Sequence, residues 1–222
     1  MNLDVFTLFP PWFDWFREQR HVTNALALGH TFEAVDLRAT TPLKWGQVDD
    51  TPFGGGAGMV LRVDVMEAAL RARYGGDPAA PDRRVIALTP GGRLLDDALA
   101  SELAAEPAVT LLCGRYEGFD ERILEHFCTD QVSIGRYVLA GGELAAMVVA
   151  DTVLRKLPGA LGKDESAVEE SFSPALDGGL EYPHYTRPAE WRGWSVPEVL
   201  VSGHHERIRE WRREQSRQRS LP

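Results

Sequence analysis

Ser133-Ile134-Gly135-Arg136-Tyr137-Val138-Leu139-Ala140-Gly141-Gly142-Glu143-Leu144-Ala145 sets a glycine turn, an apolar wall and a second glycine pair directly before a helical pattern over Gly142–Lys156. Glycine reaches positive φ without strain and lets main chain approach a ligand closely, while the N–H and C=O groups of such loops can read the edge of a heterocycle. The run therefore describes a small-molecule pocket built largely from main chain. What precedes it has the rhythm of βα units. Strands are expected at Leu3–Leu8, Phe32–Asp36, Arg84–Leu88, Val109–Cys113 and Gln131–Ser133, and helices at Pro11–Leu28, Asp64–Tyr74, Asp96–Ala104 and Asp120–Phe127. Val85-Ile86-Ala87-Leu88 and Val109-Thr110-Leu111-Leu112 are nearly unbroken apolar runs, as suits parallel strands covered on both faces. The expected fold class is α/β around a mainly parallel sheet.

Two further turns follow such strands. Leu88-Thr89-Pro90-Gly91-Gly92-Arg93 is read as a strand-to-helix turn, placed where open α/β sheets bind ligands, although an ordinary connection would look the same. Cys113-Gly114-Arg115-Tyr116-Glu117-Gly118-Phe119-Asp120-Glu121-Arg122 packs two glycines, two arginines and three carboxylates into ten residues. Surface ion pairing accounts for its charges but not for its glycines. Asp50-Thr51-Pro52-Phe53-Gly54-Gly55-Gly56-Ala57-Gly58-Met59 has neither the Gly-Lys-Ser/Thr of a Walker loop nor the frame of a dinucleotide fingerprint. It reads either as a flexible connection or as a loop that folds over a substrate.

A length of 222 residues allows one sizeable core and a small appendage. With 44% apolar and 26% charged residues the composition excludes a disordered or fibrous chain. No apolar run approaches the roughly 20 residues of a membrane span, and Met1–Pro10 reads as a first strand, so a cytoplasmic location without membrane attachment is expected. Cys113 and Cys128 fit no metal or redox spacing and are expected to be reduced and buried. His204 and His205 lack a third ligand, so no metal site is expected. A net charge of −9 taken alone argues against a nucleic-acid partner, yet Ser202–Arg219 sets six arginines against three glutamates and keeps a basic C-terminal face available. Residues 163–179, acidic and then rich in proline and glycine, read as a flexible linker between a domain over residues 1–162 and a small helical one over residues 180–222. In the latter, Ser202-Gly203 opens an amphipathic helix with Ile208 and Trp211 on one face.

Taken in order, several motifs resemble the bacterial tRNA (guanine-N1)-methyltransferase family of the TrmD type. They are Val48-Asp49-Asp50 with Gly54-Gly55-Gly56 and Gly58-Met59, Leu112-Cys113-Gly114-Arg115-Tyr116-Glu117-Gly118, Ser133-Ile134-Gly135 with Tyr137-Val138-Leu139, Gly141-Gly142-Glu143, Pro183-His184-Tyr185-Thr186-Arg187-Pro188 and Ser202-Gly203-His204. The resemblance implies a SPOUT-type parallel sheet with a C-terminal trefoil knot, a topology that periodicity alone would miss. It implies tRNA as substrate, a homodimer with its active site at the subunit interface, and S-adenosylmethionine bent within the knot loops. The cofactor would touch Leu88, Pro90, Gly114, Tyr116, Glu117, Gly118, Ile134, Gly135, Arg136, Tyr137, Val138, Leu139 and Gly141. Tyr185, Arg187 and His204, with the C-terminal arginines, would contact tRNA. The implied methyl acceptor is N1 of the guanosine at tRNA position 37, immediately 3′ of the anticodon, preferentially where another guanosine precedes it.

Guanine N1 keeps its proton at neutral pH, so the reaction needs a base to take that proton and a donor to steady charge growing on O6. The resemblance puts the donor at Arg155 and the carboxylate at Glu170, just before Ser171-Phe172. From the residues alone, Arg155 also suits a helix C-terminus and the acidic string Asp164, Glu165, Glu169, Glu170 a solvated linker. Where many members have Asp this chain has Glu170, one methylene longer, which leaves Glu169 as a competing base. Arg136 stands where the family usually has Asp, reversing a charge in the cofactor loop. Two alternatives stay open at this level: a methyltransferase for another RNA position, and a non-catalytic RNA-binding SPOUT protein disabled by Arg136.

Overall fold

A computed structural model describes residues 1–162 and 170–220 of the chain. The chain divides into two compact units, Met1–Gly162 and Lys163–Pro222. The first runs β1 (Asn2–Thr7), a 3₁₀ turn, the short helices α1 (Asp14–Arg17) and α2 (Arg20–Ala27), β2 (Thr31–Asp36), β3 (Asp49–Asp50), β4 (Val60–Leu61), α3 (Val63–Tyr74), β5 (Arg84–Leu94), α4 (Asp97–Ala104), β6 (Ala108–Cys113), α5 (Glu121–His126), β7 (Asp130–Ser133) and α6 (Glu143–Leu154). Five of these strands form one parallel sheet in the order β2-β1-β6-β5-β7. The pleat sends successive side chains to opposite faces. Leu3, Val5, Ile86 and Leu111 enter a core with Val22, Leu103, Met147 and Val153, while Phe6, Val85 and Leu112 enter a second one with Met66, Leu70 and Ile123. Burial on both faces is the reason the strands read as continuous apolar runs.

Most expected elements are present within two residues of their expected ends, and two are corrected. The helix expected over Pro11–Leu28 is broken, because Gln19 is extended at φ −64° and ψ 139° and a new helix starts at Arg20. The break lets Phe13 and Phe16 pack on Phe32, at ring separations of 5.9 and 5.3 Å, while Val22 and Ala25 turn into the same core. The turn expected at Leu88–Arg93 is instead a bulge within β5, since Val132 pairs with both Leu88 and Arg93 and the residues between leave the ladder. Gly92 permits this, because a Cβ there would lie 2.5 Å from the Gln131 carbonyl carbon.

Cys113 is a free thiol buried in the sheet, and Cys128 is free and partly buried. Burial pushes both thiols up, that of Cys128 to about 12, which disfavours the reactive thiolate. Among the described residues no helix is long and apolar enough to cross a membrane, and no group of three or more His, Cys, Asp or Glu could hold a metal ion.

The second unit contains β8 (Glu190–Trp191) paired antiparallel with β9 (Trp194–Ser195), then α7 (Glu198–Val201) and α8 (His205–Ser220). Of the segment expected as a linker, residues 163–169 lie outside those described. From Glu170 onward it is hydrogen-bonded around a 3₁₀ turn at Pro174–Leu176: Phe172 N–H donates to Gly179 O at 2.7 Å and Ser173 N–H to Glu170 O at 3.0 Å. Helix α8 is tied to the end of that segment, with Ser216 Oγ donating to Leu180 O at 2.6 Å and Ser220 Oγ accepting from Leu180 N–H at 2.7 Å. At the entry to α8, Ser202 Oγ accepts the His204 N–H at 3.2 Å.

Candidate active site

Strands β6, β5 and β7 are neighbours in the sheet, and the loops leaving their carboxyl ends wall a cavity of about 440 Å³. That size falls within the roughly 300–1,000 Å³ of small-ligand pockets. Leu88 and Pro90 line it from the β5 bulge, Gly114, Tyr116, Glu117 and Gly118 from the loop after β6, and Ile134, Gly135, Tyr137, Val138, Leu139 and Gly141 from the loop after β7. Twelve of the thirteen residues expected to touch one ligand thus surround one space, and the exception is Arg136. It is exposed and makes no hydrogen bond or ion pair among the described residues, although Gly135 and Tyr137 beside it both line the cavity.

Backbone hydrogen bonds hold this wall together. Gly142 N–H donates to Gly114 O at 2.8 Å, and a Cβ on Gly142 would come 2.7 Å from Cys113 Cα, so the close approach of the two loops requires glycine there. Tyr116 at φ 59° and Gly118 at φ 112° fold the second loop back on itself. The glycine cluster Asp50–Met59 connects β3 to β4 and is no free connection at its base. Glu117 N–H donates to Met59 O and Leu61 N–H to Gly118 O, each at 2.9 Å, so the cluster is laced to the cavity wall without lining it.

Known proteins share this sequence along nearly its whole length. The family model described as tRNA (Guanine-1)-methyltransferase TrmD matches residues 1–221. A relative from Rhodospirillum rubrum named tRNA (guanine-N(1)-)-methyltransferase is 52% identical over 213 residues, covering 96% of this chain and 86% of the relative. Relatives of the same name from Brevibacillus brevis and Ruegeria pomeroyi are each 49% identical, over 99% and 96% of this chain and 88% and 86% of their own lengths. The chain belongs to the TrmD tRNA (guanine-1)-methyltransferase family.

In this TrmD-family chain one buried carboxylate fixes the cavity loops, a role that its place in the Gly141-Gly142-Glu143 motif does not reveal. Glu143 opens α6 and is fully buried, accepting from Thr7 Oγ1 at 2.9 Å and from Arg115 Nε at 3.0 Å. Arg115, read from sequence as a surface charge, is turned inward. It also donates to Ala140 O at 3.3 Å and lies over the Phe9 ring at 4.4 Å. One carboxylate therefore joins the end of β1, the loop after β6 and the start of α6. Its traces in the sequence are an acid in the first turn of a mainly apolar helix and the Gly141-Gly142-Glu143 motif, and neither points to Arg115 as the partner. Glu143→Leu is expected to strand the Arg115 charge, which costs about 3–5 kcal/mol when a buried pair is broken. For a chain of this size the melting temperature should fall by roughly 6–20 °C in thermal unfolding. Adding Arg115→Met should recover part of that loss, and an unchanged melting temperature in the single variant would remove the clamp.

Of the remaining expected site residues, Arg155 belongs to the first unit and Glu170, Tyr185, Arg187 and His204 to the second. Arg155 caps the C-terminus of α6, whose 12 residues rise about 18 Å from the cavity loop, farther than an arginine side chain spans. Glu170 is half-buried in the second unit, and Glu169 lies outside the described residues. Tyr185 is exposed beside Trp211 at a ring separation of 6.4 Å, and Arg187 and His204 are exposed as well.

Proposed function

We propose that this chain is a cytoplasmic enzyme that transfers a methyl group from S-adenosylmethionine to N1 of the guanosine at tRNA position 37. The observation that carries the reading is the main-chain cavity at three adjacent strand ends in a chain of the TrmD family. Its lining suits a ligand with a heterocycle, a ribose and an amino acid. Loop N–H and C=O groups and apolar Leu88, Ile134 and Leu139 can hold a ring, and the carboxylates of Glu117 and Glu121 can meet hydroxyls and positive charge. When bound, S-adenosylmethionine supplies a methyl group activated by a sulfonium sulfur. Glu170 takes the N1 proton and Arg155 steadies charge on O6, with Tyr185, Arg187 and His204 holding tRNA. A trefoil knot in residues 1–162, a linker over residues 163–179 and a tRNA-contacting domain over residues 180–222 complete the proposal.

Arg155 gives a reason for the enzyme to act as a homodimer with shared sites. Leu144 and Val148 on α6 are 51% and 41% exposed, and at spacings of four and seven residues they share a helix face with Arg155. A second copy seated on that stripe would cover apolar surface and bring each Arg155 to the cavity of the other chain. Arg136 is exposed and its side chain is not part of the cavity lining, which favours a working cofactor site over a disabled one.

The test is methyl transfer from labelled S-adenosylmethionine to tRNA transcripts with and without the guanosine pair beside the anticodon, followed by nucleoside mapping. Label in 1-methylguanosine at position 37 alone is expected. Label in another nucleoside, or none, overturns the proposal.

A further inference from the structure

Trp191 and Trp194 are 59% and 71% exposed, although indole gains much by burial. They are paired residues in the β8–β9 register, closed by Arg192-Gly193 with φ of 53° and 83°. Positive φ at both central residues is the mark of a mirror-image two-residue turn, and residues paired across such a hairpin present their side chains on one face. The Val196 N–H bond to Ala189 O at 2.9 Å supports the strands from behind, and the Arg192 guanidinium lies 5.6 Å from the Trp191 ring. None of the tRNA-contacting residues assigned above is in this hairpin.

We propose that the Trp191–Trp194 hairpin is a stacking platform for an unpaired base of the tRNA substrate. The inference rests on the proposed function and adds a contact of a different kind, with the face of a base instead of a phosphate. Two aromatic faces with a guanidinium at the tip match what single-stranded nucleic acid offers, a π face beside a negative backbone. The polar residues next to the indoles in the hairpin, Glu190, Arg192 and Ser195, are exposed, unlike the rim-enclosed apolar centre of a protein interface. Paired RNA hides its base faces, so the contact selects a loop nucleotide.

The experiment measures unmodified tRNA binding by filter retention over a range of salt, together with steady-state methyl transfer. Trp191→Ala and Trp194→Ala should each weaken tRNA binding and raise the KM for tRNA by roughly 5- to 150-fold, the range for loss of one base–aromatic stack. The slope of log K against log salt should not change, because no phosphate contact is lost, and S-adenosylmethionine affinity and kcat at saturating tRNA should also hold. Phenylalanine at either position should restore most of the binding, which separates stacking from misfolding. Wild-type tRNA affinity in both alanine variants overturns the platform, as does a fall in salt slope or a shift from dimer to monomer in sedimentation. A wild-type protein that binds tRNA through these residues yet never methylates it would sink the proposed function and leave the platform standing.

Discussion

Glu170→Gln is expected to lower the rate of methyl transfer by about 10²–10⁴-fold, the range for loss of a general base, while S-adenosylmethionine binds as before. The amide keeps the size and shape of the carboxylate but cannot accept the N1 proton. Cofactor affinity should hold because the described residues that line the cavity belong to the first unit, whereas Glu170 belongs to the second. The Ser173 N–H bond to the Glu170 carbonyl, a main-chain contact, should be kept in the variant. Single-turnover rates with labelled cofactor separate this effect from product release. Glu170→Asp restores a carboxylate one methylene shorter and should retain much of the activity. Glu169→Gln is the control that distinguishes neighbours: loss of activity there with full activity in Glu170→Gln would move the base by one residue.

The parts of this molecule that were legible in the sequence are those where chemistry and local pattern coincide. Unbroken apolar runs marked the buried strands, and glycines just past three of them marked loops that meet at one cavity. The misreadings share a cause, which is that a partner distant in sequence decides the outcome. Thr89-Pro90-Gly91-Gly92 has the composition of a turn that ends a strand, yet pairing with β7 resumes at Arg93. Nothing between Pro11 and Leu28 signals a break, and the chain bends because Phe13, Phe16 and Val22 all seek the one core under Phe32. Arg115 and Glu143 are 28 positions apart, so local charge pattern could only suggest a surface role for the arginine. Strands of two residues, such as β8 and β9, are shorter than any period that could reveal them.

Arg155→Ala should lower kcat by about 10²–10³-fold if the guanidinium meets charge developing on O6, and the informative result is how that loss is repaired. The length of α6 sets Arg155 apart from the cavity of its own chain, so in the proposed homodimer the donor is expected to serve the other chain's cavity. Val138→Trp supplies the complementary defect. Val138 lines the cavity and is 82% exposed, so a larger side chain there should fill the space without disturbing the core. In the proposed homodimer each variant alone carries two defective sites. Heterodimers isolated through two affinity tags would unite an intact cavity on the Arg155→Ala chain with an intact Arg155 on the Val138→Trp chain. Such a dimer should regain about half the wild-type rate, because a two-fold assembly contains two sites and only one is repaired. If Arg155 served its own chain, neither site in the heterodimer would be whole and no activity would return. Repair therefore decides which chain supplies the donor, which loss of activity in Arg155→Ala alone would leave open.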